Sequence, residues 1–179
     1  MTTPARALSG AIAMVGLCLA VLSGRVAPAQ EAPVIAYRAP SISLPEARAI
    51  IEGAIAFARE GNMRMAVVVV DQAGNVVSAD RMDGAALQNI RFAEGKAFAS
   101  ALYRQTTEQM GALYKTRPDR YFGIMNTYGN KIYMVEGGFP LAVDGKLVGA
   151  VGVAGSNMDE LYAQAGIAAW EKERARLRK

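Results

Sequence analysis

The segment from Gly137 to Gly155 constrains the fold more than any other part of the chain. It reads as two β-strands joined by the dipeptide Asp144-Gly145, which is typical of a two-residue hairpin turn. Glycines recur along the second strand, at Gly149 and Gly152. Glycine is disfavoured inside strands because it loses the most backbone entropy and has no side chain to pack. The pattern therefore indicates that a neighbouring backbone, a helix or a ligand comes very close to this strand.

Alternation along the second strand places Val148, Ala150, Gly152 and Ala154 on one face. None of these side chains is large, so the face is shallow. Two interpretations remain open: a helix backbone lies directly on this face, or a flat ligand rests there. The glycine spacing differs from the dinucleotide-binding fingerprint, which also needs a strand–turn–helix context. A nucleotide cofactor is therefore not expected.

The first 29 residues have the features of a secretory signal peptide. They contain no acidic residue, an apolar stretch from Leu8 to Leu22 and the small-residue pattern Ala27-Pro28-Ala29. A permanent membrane anchor is the alternative, but the apolar stretch is shorter than the ~20 residues that a spanning helix needs. We expect residues 1–29 to be removed, 30–42 to form a flexible linker and 43–179 to form one periplasmic or secreted domain.

The absence of histidine limits the possible chemistry more than any motif does. The chain has no histidine, and its single cysteine, Cys18, lies in the predicted signal peptide. This excludes nucleophiles activated by imidazole and zinc sites of the usual Cys/His type. The formal net charge of +4 is not organised into a basic stripe, so no nucleic-acid partner is indicated. Chemistry must rely on carboxylates, Lys, Arg, Tyr, Met, backbone amides or a bound cofactor.

Helices and antiparallel strands are predicted for the rest of the chain. A helix begins at Ser43 with Glu46 completing a capping box, and it ends at Gly61-Asn62. The last helix begins near Asn157, with Glu160 in the equivalent capping position. Hydrophobic periodicity gives strands 65–70, 76–81, 131–135, 139–143 and 146–154, helices 87–104 and 107–114, and a loop over 116–130. Short turns within each strand group favour an antiparallel sheet with helices packed on it.

Several motifs, taken in order, resemble one family. They are the strand 67–71, Gly74, the loop 81–85, Lys96-Ala97, Gly137-Gly138 followed by Pro140-Leu141, Asp144-Gly145, the segment 149–153 and Asp159-Glu160. In this order and spacing the chain resembles the GlcG/HbpS family, which includes PduO C-terminal-like domains. The resemblance implies an α/β (α+β) domain, profilin- or PAS-like, with a five-stranded antiparallel sheet flanked by helices. It also implies haem (tetrapyrrole) binding, assembly into a homo-oligomer and, for exported relatives, a role as haem-binding or redox-sensing accessories.

One group of candidate cofactor-binding residues surrounds a predicted strand-to-helix connection. Arg81 and Lys96 can pair with haem propionates or with another carboxylate. Met82 and Asp83 belong to the same loop, where functional residues tend to concentrate. The alternative is that Asp83 initiates the following helix and pairs locally with a cation.

A second group of candidate residues is Gly137, Gly138 and Pro140. The double glycine lets backbone amides face a ligand, although a strand bulge explains it equally well. The start of the last helix, at Ser156-Asn157, is an anion site in principle. Capping by the following acidic residues is the better interpretation.

A bound haem iron would need an oxygen, sulfur or amine ligand, since imidazole is absent. Tyrosine and methionine are known axial ligands. The candidates are Tyr103, Tyr114, Tyr121, Tyr128, Met82, Met110 and Met125. None is favoured over the others, and a haem held by apolar contacts and propionate pairing alone is also consistent with the sequence.

The leading functional hypothesis is an exported haem-binding accessory or sensor that binds its ligand rather than transforming it. One alternative is an accessory for a small organic acid, held by Arg81, Lys96 and the Gly137-Gly138 amides. Another is a haem-degrading redox enzyme in which Asp83, Glu136 or a tyrosine handles protons. A structural partner of a sensor or dehydrogenase complex is the last possibility.

Overall fold

The computed structural model of the protein describes residues 40–177. The predicted signal peptide and residues 30–39 of the predicted linker lie outside this range. Within it, Ile42 is buried, and its N–H donates to the carbonyl of Val148 at 2.8 Å. The end of the predicted linker thus belongs to the folded domain. No helix in the described range is long and apolar enough to cross a membrane.

Six α-helices, one 3₁₀ turn and four β-strands make up residues 40–177. In chain order they are α1 (Leu44–Glu60), β1 (Ala66–Asp71), β2 (Val76–Arg81), α2 (Asn89–Tyr103), α3 (Thr107–Gly111), α4 (Leu113–Thr116), α5 (Pro118–Tyr128), the 3₁₀ turn (Gly129–Lys131), β3 (Gly138–Val143), β4 (Lys146–Ala154) and α6 (Asp159–Leu177).

The strands form one antiparallel sheet in the order β2-β1-β4-β3. The two inner strands, β1 and β4, pair from Ala66 opposite Ala154 to Asp71 opposite Gly149. Strands β3 and β4 are joined by the predicted Asp-Gly turn, where Asp144 and Gly145 have φ angles of 50° and 74°. Positive φ at both central residues is the geometry of a type I′ hairpin. The α+β class and the antiparallel sheet are confirmed.

The sheet has four strands in the described range, so the predicted fifth strand at 131–135 is wrong. This segment leaves the 3₁₀ turn and pairs with a helix, since the N–H of Tyr133 donates to the carbonyl of Gly95 in α2 at 3.2 Å. Ile132 and Met134 are buried against α2, whereas Tyr133 is only partly buried. The apolar residues alternate as in a strand because one side of this extended segment is buried. The element that buries it is the helix α2, and the segment does not join the sheet.

The predicted loop over 116–130 is also wrong, because most of it forms α5. Pro118 occupies the first turn of α5, where its missing N–H has no cost. Tyr121, Met125 and Tyr128 lie on one side of this helix and pack with buried Ile124 against a hydrophobic cluster. Their spacing is helical, and this signal was available in the sequence. The predicted helix at 107–114 is divided between α3 and α4.

Helices α1 and α6 cover one face of the sheet and α2 covers the other. Val67, Val69, Val151 and Val153 pack towards α1 and α6. Glu46 in α1 joins these two helices: its carboxylate accepts hydrogen bonds from Ser43 N–H at 3.0 Å and from Trp170 Nε1 at 3.2 Å. Burial alone would raise the pKa of Glu46, but these hydrogen bonds and Arg174 lower it overall.

The backbone of α2 lies directly on the glycine-spaced face of β4. A Cβ atom on Gly152 would clash with the carbonyl of Ala93 and would lie 2.6 Å from the backbone nitrogen of Ala97. Ala93, Ala97 and Ala101 present small side chains at four-residue intervals, and all three are buried against the sheet. Of the two interpretations of this face, the helix backbone is therefore correct and the flat ligand is wrong.

The close approach at Gly152 leads to a first prediction. Gly152→Ala should lower the free energy of unfolding by about 1–3 kcal/mol or more, because α2 must move away from the sheet. Urea denaturation followed by circular dichroism measures this change.

Gly123→Ala is the matched control, since Gly123 lies in α5 with no atom within 4 Å of an added Cβ. Alanine should raise the stability there by up to ~1 kcal/mol through helix propensity. Equal effects of the two substitutions would show that α2 does not rest on Gly152.

Candidate functional site

The predicted cofactor-binding residues divide between different parts of the fold. Arg81, Met82 and Asp83 line a cleft along β2. Lys96, Gly137 and Gly138 lie together where α2, β3 and the start of α6 meet. The sequence analysis placed Lys96 with Arg81, Met82 and Asp83, but the fold places Lys96 with the glycines instead. The sheet separates the two sets, because β2 and β3 form its opposite edges.

Lys96 is bound inside the protein. Its side chain is 2% exposed, and its Nζ donates to Asp159 Oδ2 at 2.6 Å and to the carbonyl of Val153 at 2.9 Å. Asp159 is almost as deeply buried, at 5% side-chain exposure. An ion pair of this kind ties α2 to the start of α6. The predicted partner of Lys96 was a ligand carboxylate, but in the structure its partner is the carboxylate of Asp159.

The double glycine serves this same junction. Gly137 has a φ of 107°, and a Cβ there would lie 2.5 Å from Asp159 Cβ. The N–H of Gly138 donates to Thr107 Oγ1 at 2.9 Å, so this amide is already used. The prediction that the Gly138 amide faces a ligand is wrong: close packing requires the glycine. Pro140 lies in β3, an edge strand, where the missing N–H is tolerated.

Capping at the start of α6 is confirmed, with a shift in the residues. Asp159 Oδ1 accepts from Ser156 N–H at 2.8 Å, and Ser156 Oγ accepts from Met158 N–H at 2.9 Å. The capping pair is thus Ser156 and Asp159 rather than Asn157 and Glu160. Asp159 satisfies both the helix terminus and Lys96 with its two oxygens.

The cleft along β2 has a volume of about 680 Å³. The end of α1, the connection from α1 to β1, strand β2 and the following loop build it. The lining residues are Ile55, Arg59, Asn62, Arg64, Ala79, Asp80, Arg81, Met82 and Asp83. We call it the arginine cleft.

The arginine cleft carries excess positive charge. Within the described range, Arg59, Arg64 and Arg81 form no ion pair, and Arg81 is held by one hydrogen bond of 2.6 Å to the carbonyl of Ala85. Asp80 is already bound by Arg48 at 3.0 Å. Asp83 is exposed and forms no ion pair with any residue in the range 40–177. Because α2 begins six residues later, Asp83 does not start that helix either. Three guanidinium groups around one cleft suit a ligand with carboxylates.

Arg59 and Arg64 were not predicted from the sequence. Arg59 lies in the last turn of α1 and Arg64 precedes β1, and neither belongs to a motif. The packing of α1 on the sheet brings them beside Arg81. Only the tertiary fold contains this information.

Met82 is the one candidate iron ligand that lines the arginine cleft within the described residues. Tyr103, Tyr121, Tyr128, Met110 and Met125 belong to the hydrophobic cluster around α5. Burial and the neighbouring Tyr128 raise the pKa of Tyr103, which keeps its phenol protonated. In residues 40–177 no group of three or more Asp, Glu, Cys or His side chains is arranged to hold a metal ion.

Comparison with known proteins decides the family. The family model described as "Haem degrading protein HbpS-like" matches residues 42–168. The chain belongs to the HbpS-like family. The GlcG/HbpS resemblance carried by the sequence motifs is thereby confirmed.

One relative by sequence and two solved structures illustrate the likeness. Protein GlcG of Escherichia coli K12 is 29% identical over 113 residues, which cover 63% of this chain and 81% of GlcG. A double mutant of Streptomyces reticuli HbpS superposes with a TM-score of 0.69 at 27% identity, over 79% of this chain and 95% of that chain. The PduOC:heme complex superposes with a TM-score of 0.67 at 25% identity, over 72% of this chain and 94% of that chain.

The buried ion pair leads to a second prediction. Lys96→Met leaves Asp159 as an uncompensated buried charge and should lower the free energy of unfolding by about 3–5 kcal/mol. Chemical denaturation measures the loss. Arg91→Met, which breaks the exposed pair with Glu94, should leave stability nearly unchanged. A small effect of Lys96→Met would show that the pair does not join α2 to α6.

Proposed function

We propose that the protein is an exported haem-binding accessory or sensor, and that the arginine cleft holds the haem. The observation that carries the proposal is the cleft itself, with three guanidinium groups that lack a carboxylate partner in the described residues. Membership of the HbpS-like family and the likeness to PduOC, solved as a complex with heme, support the same ligand class.

The residues of the arginine cleft fit a haem. Its volume of about 680 Å³ lies within the usual range for sites that bind cofactors and drug-sized ligands. Arg59, Arg64 and Arg81 offer donors for two propionates. Ile55 and Met82 provide apolar surface, and the Met82 thioether is an axial ligand type that haem iron accepts. A bound haem would supply iron redox chemistry to the site.

Each residue has a separate part in binding. The hydrogen bond from Arg81 to the Ala85 carbonyl fixes its guanidinium and leaves other N–H groups for a carboxylate. Arg59 lies in the last turn of α1, and the Arg64 side chain lies beside Gly84, where an added Cβ would be 3.8 Å from Arg64 Cγ. Met82 is partly buried and packs against the core, so its position is set by the fold. The exposed carboxylate of Asp83 discourages a third anionic group at the rim.

A small organic acid is the second candidate ligand. The observation that favours it is the same set of guanidinium groups, because paired N–H donors recognise any carboxylate. The Gly137-Gly138 amides and Lys96 have no part in this alternative, because they do not line the arginine cleft. A ligand without a large apolar body would need only the polar part of the cleft.

Haem degradation is a third possibility that the description of the family model favours. Of the groups considered for proton transfer, Asp83 lines the arginine cleft, whereas Glu136 and the tyrosines of the described residues do not. Asp83 is therefore the residue that would handle protons. Loss of the haem spectrum with a reductant, beyond that of free hemin, is the observation that would assign this activity.

Hemin titration gives the third prediction. The purified protein should show a saturable Soret change at micromolar hemin. The double variant Arg59→Ala/Arg81→Ala should weaken binding by about tenfold or more, because two charge-assisted hydrogen-bond partners are lost.

Arg91→Ala is the control, since Arg91 is exposed on α2 and paired with Glu94. The affinity of the Arg91→Ala variant for hemin should equal that of the unsubstituted protein. Absence of a saturable Soret change would contradict the proposal. Stabilisation by simple dicarboxylates without any response to hemin would select the organic-acid alternative.

Export gives the fourth prediction. We propose that the mature protein begins at Gln30 and resides in the periplasm or outside the cell as a homo-oligomer. Mass spectrometry of protein recovered from the periplasmic fraction should find Gln30 at the N-terminus. Retention of Met1 in a membrane fraction would favour the anchor instead.

A further inference from the structure

A second, smaller cleft lies on the other side of the sheet from the arginine cleft, at the junction of α2 with the start of α6. Its volume is about 270 Å³, and the extended segment before β3 forms one wall. Asn89, Phe92, Lys96, Tyr133, Glu136 and Asp159 line it. We call it the Glu136 cleft.

Asn89 presents a buried polar group to the Glu136 cleft without an internal partner. The residue is 9% exposed at the start of α2, and its side-chain amide makes no hydrogen bond to any residue in the range 40–177. The amide atoms are not fully enclosed by protein, since the fully buried side-chain polar atoms without a partner in residues 40–177 are Gln72 Oε1, Ser78 Oγ and Ser100 Oγ. The amide therefore has unused donors and an unused acceptor at the cleft wall.

The charges around the Glu136 cleft leave it negative. Asp159 cancels the charge of Lys96 at a distance of 2.6 Å. The half-buried carboxylate of Glu136 forms no ion pair or hydrogen bond with another described residue. Nearby, burial and the charges of Glu108 and Glu136 raise the pKa of Glu160. An anionic ligand would be repelled here, whereas a cation would be attracted.

Two stacked rings build the aromatic wall of the cleft. Phe92 and Tyr133 stack with ring centroids 4.6 Å apart and an interplanar angle of 12°. The Nζ of Lys96 lies 5.8 Å from the centroid of the Tyr133 ring. Lys96 thus already supplies a cation to the Tyr133 ring, and the wall offers a ligand apolar ring surface.

We propose that the Glu136 cleft binds a small organic cation, of the primary ammonium class. The ammonium group pairs with the Glu136 carboxylate and donates to the side-chain amide oxygen, Oδ1, of Asn89. Its carbon chain lies against the Phe92–Tyr133 wall. Lys96 and Asp159 form the neutral floor. This site is separate from the arginine cleft and needs no haem.

Propylammonium chloride is the probe, with sodium propionate and n-propanol as matched compounds of the same size. Each is titrated at millimolar concentration into ¹⁵N-labelled protein and followed by ¹H–¹⁵N correlation spectra. Propylammonium should produce saturable shifts of the Asn89 side-chain amide and of backbone amides 133–137. Propionate and propanol should produce weaker shifts or none.

Glu136→Gln should weaken propylammonium binding by about tenfold or more, since one charge-assisted pair is lost. Glu52→Gln, an exposed change on α1, should leave the affinity unchanged. Well-dispersed spectra of both variants show that each is folded. Equal shifts with propionate, no saturable shift with propylammonium, or unchanged affinity in Glu136→Gln would each overturn the proposal.

Discussion

The contact between α2 and Gly152 of β4 determines where this protein can bind a ligand. The helix backbone approaches the sheet so closely that no side chain larger than hydrogen fits at Gly152. Gly155 of the same segment accommodates the carbonyl of Arg64 in a similar way. Both glycines thus admit protein backbone. With α1 and α6 on the other face, both faces of the sheet are closed, and the clefts open at its margins.

The buried Lys96–Asp159 pair stabilises the part of the fold that carries the Glu136 cleft. It holds the start of α6 against α2 and uses the charge that the sequence suggested for a ligand. The open margin along β2 has no such pair, and there Arg59, Arg64 and Arg81 keep their charges available. The two clefts consequently differ in electrostatic character: one is lined by three guanidinium groups and the other by the carboxylate of Glu136 beside a neutral ion pair.

The sequence predicted the parts of the fold that depend on local chemistry. The Ser43–Glu46 cap, the Asp144-Gly145 hairpin and four of the five predicted strands are confirmed, because each depends on neighbouring residues. The apolar alternation of segment 131–135 predicts a strand, because alternation shows that one side is buried but not which element covers it. Lys96 looked like a ligand-binding cation because its partner, Asp159, is distant in sequence. Arg59 and Arg64 belong to no sequence motif, so only the tertiary structure shows that they line the same cleft as Arg81.

Hydrogen exchange with and without hemin tests most directly whether ligand binds at the open margin and not on the face of the sheet. Amides are followed by mass spectrometry across residues 40–177 of the purified protein. We expect slower exchange at residues 59–64 and 79–85 on adding hemin, with exchange unchanged in β4 beneath α2. Protection confined to β4 and α2, with the arginine cleft unaffected, would contradict it.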